Sequence, residues 1–115
     1  MEKEIKIKSV CSYSGHSINQ QGIFNLTLVF AFDELTNVIQ LMQCLNEDIS
    51  IVVKVAGENK TLGIFGIKNI TINTNGESKI KFTSLVHSIE IENVNALVGA
   101  EYFRIGFKST VDIDE

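Results

Sequence analysis

Few side chains in this sequence could make or break bonds. There are two cysteines, Cys11 and Cys44, two histidines, His16 and His87, and two adjacent carboxylate pairs, Asp33 with Glu34 and Glu47 with Asp48. Cys11 and His16 lie close in sequence, so a thiol and an imidazole could act as nucleophile and base, or as half of a metal site. The remainder of such a constellation is missing. A structural zinc site takes four ligands at recognisable spacing, and neither Cys44 nor His87 belongs to a CxxC or HxxxH pair. His87 alternates with Leu85 and Ile89, which suits a half-buried imidazole in a strand better than a ligand. The carboxylate pairs could do acid–base work only by converging in a cleft, and their spacing does not supply that. GxxxxGK[ST], GxGxxG and GxSxG are absent, which removes the usual phosphate cradle, dinucleotide fingerprint and nucleophile elbow. The expectation is a non-enzymatic protein without cofactor or metal. An enzyme using Cys11 and His16 would need a reactive thiol of lowered pKa.

The chain that must position these groups has 115 residues, enough for a single domain spanning 1–115. Hydrophobic residues make up 44% and charged residues 21%, so the chain can bury a core and should fold. The acidic segment VDIDE at 111–115 reads as a tail, because its carboxylates gain little from burial. Ten Lys and Arg against fourteen Asp and Glu give a formal charge of −4, the wrong sign for a domain that holds duplex nucleic acid through phosphates. No apolar run is long enough to cross a membrane, and MEKEIKIKSV alternates charged with apolar residues where a signal peptide needs an unbroken apolar stretch. A cytoplasmic protein with reduced thiols is therefore expected.

Ile5 and Ile7 alternate with lysines as a first strand, and the polar segment from Cys11 to Gly22 reads as a long loop. From Ile23 to Phe32 one face carries Phe24, Leu26, Leu28, Phe30 and Phe32, the pattern of a central strand. Asp33 stands where a helix N-cap is wanted, and Leu35, Val38, Ile39, Met42 and Leu45 form an amphipathic stripe predicting a helix over 34–45 with that stripe inward. Ile49, Ile51, Val53 and Val55 form the next strand, and a turn at 57–59 leads into a run over 61–74. The segment TINTNGESKIKF predicts a hairpin. A two-residue Asn75-Gly76 turn would set isoleucines against lysines. A three-residue loop, Thr74 to Gly76, instead faces Ile70 with Ile80 and puts Gly76 in the left-handed position. A loop shifted by one residue pairs Ile72 with Ile80. Both arms change phase away from the turn, which predicts bulges or bends near Lys68 and Ser84. A short helical turn over 93–98 and a strand through Phe103, Ile105 and Phe107 complete an α+β fold. It comprises a curved, mainly antiparallel sheet of five to six strands, one amphipathic helix and one short helical turn.

Two surfaces stand out. The face of the helix opposite the stripe carries Asn37, Gln40, Gln43 and Cys44 without a charge, where a solvated helix usually displays Lys and Glu. That suits burial against a protein partner or a second copy of the chain. The cations are uneven: none lies between Lys8 and Lys54, whereas Lys54, Lys60, Lys68, Lys79 and Lys81 gather around the central strands and hairpin, with Lys68, Lys79 and Lys81 as the candidate contacts. They could contact the phosphates of a single strand, although only Tyr13 and Tyr102 are easy stacking residues.

KIKSV, followed by FNLTLVFAFDELTNVIQLMQCLNEDISIVVKV, resembles small uncharacterised proteins of phage and prophage early regions in Gram-positive bacteria. The resemblance covers the first half of the chain and brings no catalytic residue with it. It implies a role near phage replication, recombination or host takeover, in the cytoplasm of the host. The expected function is therefore that of an accessory protein acting by protein binding, as an inhibitor or modulator of host or defence machinery and as a candidate homo-oligomer. The alternative is a single-strand binder of a replication or recombination module.

Overall fold

The computed structural model describes residues 6–107, so Ile5 and the acidic segment 111–115 lie outside the described residues. The strands are β1 (Lys6–Ser9), β2 (Ser12–Ile18), β3 (Ile23–Phe30), β4 (Ile49–Val55), β5 (Glu58–Ile72), β6 (Ser78–Leu85) and β7 (Tyr102–Phe107), and one α-helix, α1 (Leu35–Leu41), links β3 to β4. All seven strands form one antiparallel sheet in the order β1-β7-β4-β5-β6-β3-β2.

The sheet has one strand more than the five to six expected, and the addition is β2, in the segment read as a loop. Its residues SYSGHSI carry no apolar alternation because most of them face solvent. What holds the strand is main-chain pairing to β3, from Ser12 opposite Val29 to Ile18 opposite Phe24, which any side chain permits.

β1 and β2 occupy opposite edges of the sheet, yet only Val10 and Cys11 separate them. From Ser9 to Ser12 the chain reaches about 11 Å at most, whereas the outer strands of a flat seven-stranded sheet would stand about 29 Å apart. The sheet must therefore curl back on itself, and the molecule is nearly isometric at 33 × 31 × 31 Å.

β5 makes the bend. Its first half pairs with β4, from Glu58 opposite Val55 to Phe65 opposite Ile49, and its second half pairs with β6, from Gly66 opposite Thr83 to Ile72 opposite Ser78. Register shifts leave Leu62 and Lys68 as extra residues on β5, and such bulges bend a strand. The expected bulge at Lys68 is thus present. Near Ser84 the change of phase is instead the end of β6, after which Val86–Ser88 form a 3₁₀ turn. The hairpin has the expected register, with Ile70 opposite Ile80 and Gly76 at φ 88°. The β4–β5 turn comes one residue earlier than expected: Ala56 and Gly57 have φ 51° and 80°, the positive values of a type I′ turn.

The concave side holds the core. Ile7, Ile105 and Ile51 lie side by side across β1, β7 and β4, and Phe24, Phe65 and Phe82 pack edge to face with centroids 5.9 and 6.4 Å apart. The expected short helical turn is a 3₁₀ segment, Ile91–Gly99, which seats Val94 and Leu97 in this core.

Gly63 couples that segment to β5. It has φ 146°, bridges Ile89, and a Cβ there would stand 2.6 Å from the Ser88 carbonyl oxygen and 2.7 Å from the Ile89 Cα. Backbone cannot yield as a side-chain tip can. Gly63→Ala is expected to cost about 2 kcal/mol or more of unfolding free energy, measured by urea titration. A change below about 0.5 kcal/mol would contradict this packing.

Candidate interaction surfaces

The connection from β3 to β4 is helical from Phe32 to Cys44. A 3₁₀ turn (Phe32–Glu34) precedes α1 and another (Met42–Cys44) follows it. Asp33 lies inside the first turn and caps nothing. The cap positions are Ala31 and Glu34, and neither side chain makes a cap bond.

The helix is turned relative to the expectation. Val38, Leu41 and Cys44 are fully buried, a row at spacing three that suits the tighter turn of the flanking 3₁₀ segments. Of the stripe expected inward, only Val38 is inside: Leu35 is 36% exposed, Ile39 51%, Met42 43% and Leu45 47%. Phe32, expected at the end of the strand and inward, is 71% exposed because β3 stops at Phe30. Eight of the fourteen residues from Phe32 to Leu45 are apolar, so one side of the helix could seal the core while another apolar row remained outside.

The four residues expected together on the outer face differ in burial. Cys44 belongs to the buried row, since a thiol packs as a small hydrophobe. Asn37 is half-buried and tethers the helix: its Nδ2 donates to Glu34 Oε1 at 2.8 Å and to the Lys8 carbonyl oxygen at 3.3 Å. Ser9 Oγ donates to the same Glu34 oxygen at 2.7 Å. Gln40 is half-buried, and Gln43 alone of the four is exposed.

What the helix offers instead is an uncharged apolar row, Phe32, Leu35, Ile39, Met42 and Leu45, with carboxylates at both ends. Asp33 and Glu34 lie at its start, and Glu47 and Asp48 lie just beyond Leu45. The β5–β6 turn abuts the first end, because a Cβ on Gly76 would sit 2.8 Å from the Phe32 Cβ, and this turn brings exposed Glu77.

The second surface is the convex face of β2, β3, β6 and the end of β5. Strand register places Ser17, Asn25 and Thr83 in one row, Gly15, Thr27, Lys81 and Asn69 in the next, and Ser12, Val29, Lys79 and Thr71 in a third, with Lys68 at the bulge. None of these residues is a carboxylate or an aromatic. Lys68 and Lys81 border an open cleft of about 240 Å³ shared with Asn25, Thr27 and Ser17.

Cys11 and His16 are not hydrogen-bonded to one another. The Tyr13 hydroxyl is hydrogen-bonded to His16 Nδ1, and the ring stacks on Phe24 with centroids 5.4 Å apart. Cys11 is buried in the core beside the Ser9 and Glu34 cluster, and desolvation pushes its thiol up to about 12, with the Glu34 charge adding to the rise. His87, expected half-buried in a strand, is exposed in the 3₁₀ turn after β6. Both cysteines are buried in the core and no disulfide joins them. Among the described residues no group of three or more His, Cys, Asp or Glu is placed to hold a metal ion, and no helix is long and apolar enough to cross a membrane.

No protein-family model matches the chain, and a search of curated proteins finds no relative.

The raised Cys11 pKa fixes an alkaline limb of stability. The native state keeps a proton that the unfolded chain loses above about pH 9, so this contribution is intact below pH 9 and falls as pH rises toward 12. At pH 8, Cys11 is expected to react with iodoacetamide at least about a hundredfold more slowly than the same thiol in urea. Equal rates with and without urea would show that this thiol is not buried.

Proposed function

We propose that this chain is a non-enzymatic binding protein that docks another macromolecule on the helix between β3 and β4. The supporting observation is the exposed row Phe32, Leu35, Ile39, Met42 and Leu45, which a self-sufficient monomer gains nothing by presenting to water. Its opposite side is anchored by Val38, Leu41 and Cys44, so the row sits on a rigid support and needs little ordering on binding. The resemblance to small phage and prophage proteins fits an accessory role of this kind, in which occupying a host or defence protein's surface inhibits or modulates it.

The test is Ile39→Asp. Ile39 is half in solvent, so the change is expected to leave the thermal midpoint within a few degrees of wild type while lowering partner binding at least about tenfold. Binding is read by capture from an extract of the source cell with both proteins side by side. Capture unaffected by Ile39→Asp would rule the helix out as the docking element.

A second reading is supported by the carboxylate-free convex face. Lys68, Lys79 and Lys81 there could follow the phosphates of a single strand, with Thr and Asn side chains contributing hydrogen bonds and His16 lining the same cleft as Lys68 and Lys81. Three phosphate contacts give a slope of about −2 for log K against log salt, and Lys81→Glu is expected to flatten it by about 0.7. Labelled oligo(dT) followed by anisotropy measures both, and absence of binding at low salt would dispose of this reading.

A further inference from the structure

We infer that the helix row takes a partner surface of apolar anchors bordered by Lys or Arg, and not a second copy of this chain. The inference rests on the docking reading above and adds the chemistry of the occupant.

The argument is one of charge. Between Lys8 and Lys54 the sequence has no Lys or Arg, so the segment carrying the row is purely acidic in its charges. Those charges bracket the apolar row: Asp33 at one end, where half-buried Glu34 is turned to the β1 seam, Glu47 and Asp48 at the other, and Glu77 on the turn beside Phe32. The cations nearest in sequence lie elsewhere: Lys54 stands at the far end of β4, opposite Asn59 and Tyr102 and about 20 Å along the strand from Asp48. Lys8 Nζ lies 4.3 Å from the centre of the Tyr102 ring, and Lys79 and Lys81 project from the convex face. At the far end of the helix, Glu47 and Asp48 add to the partial negative charge of the last carbonyls, and neither forms a salt bridge among the described residues.

A two-fold pairing of this row fails on the same charges. If the axis runs across the helix, the two copies pack antiparallel and Asp33 of one meets Glu47 and Asp48 of the other. If the axis runs along the helix, each acidic end meets itself. Both arrangements set carboxylates against carboxylates while drawing water away, and like charges then repel more strongly. A head-to-tail contact with the lysine face satisfies the charges but not the row, because around Lys79 and Lys81 that face offers Thr, Ser and Asn with Val29, and its paired aliphatics Ile23 and Leu85 stand two rows beyond Lys81. A basic-rimmed apolar surface satisfies both at once, and its charges would also speed encounter.

The test uses the full chain and three fluorescein-labelled amphipathic helical peptides of about 18 residues. They share one apolar face and differ only in whether Lys, Gln or Glu flanks it. Anisotropy is measured at about 0.05 M and about 0.5 M salt, and sedimentation equilibrium reports self-association. The Lys peptide is expected to bind at least about tenfold tighter than the Gln peptide at low salt, with an advantage below about threefold at high salt. The double change Glu47→Lys and Asp48→Lys should remove most of that preference, and Ile39→Asp should abolish binding of every peptide. If Ile39→Asp abolishes binding but the Lys and Gln peptides bind alike, the charge inference is overturned while the docking reading stands. Dimerisation lost on Ile39→Asp overturns the inference in favour of a second copy. If no peptide binds and the chain is monomeric, or if Ile39→Asp changes nothing, the docking reading falls and this inference with it.

Discussion

The structure depends on a curl enforced by connectivity. Two residues join strands that belong to opposite edges of a seven-stranded sheet, so the sheet has no flat solution. β5 provides the curvature through its two extra residues, Leu62 and Lys68, and thereby faces the β1-β7-β4 half toward the β6-β3-β2 half. Once the halves face each other, the phenylalanines of β3, β5 and β6 interlock and the isoleucines of β1, β7 and β4 close the other side. The remaining elements cover what the curl leaves open: the 3₁₀ segment 91–99 packs along β4 and β5, and the helix lies near β1.

That position explains the divided character of the helix. It is tethered at the seam, where Glu34 accepts from Ser9 and Asn37, and Asn37 also donates to the main chain of β1. With these polar bonds setting its rotation, the helix can direct only one narrow row, Val38, Leu41 and Cys44, into the core. The other apolar residues are left outside because the tether fixes the angle. Exposure of Ile39 and Met42 is thus a consequence of hydrogen bonds made on the opposite flank.

Much of the fold was legible from the residues. Strict alternation marked β3, β4 and β7, and register logic placed Ile70 opposite Ile80 and located the bulge at Lys68, because a one-residue slip would have put lysines among isoleucines. β2 was not legible, since an edge strand held by main-chain bonds leaves no apolar period in SYSGHSI. The rotation of the helix was not legible either. Its fourteen residues are apolar on too many sides for periodicity to select a face, and treating Cys44 as polar concealed the row it forms with Val38 and Leu41. The face expected to be polar and outward is therefore buried or half-buried at Cys44, Asn37 and Gln40, while most of the stripe expected inward is partly exposed.

The separation of the helix into an inner and an outer row has an evolutionary consequence. Val38, Leu41 and Cys44 answer to the fold, whereas Leu35, Ile39, Met42 and Leu45 are held by it only in part. Descendants of such a chain can rewrite the second set residue by residue while inheriting an untouched scaffold, so lineages should diverge fastest along one narrow strip of this helix.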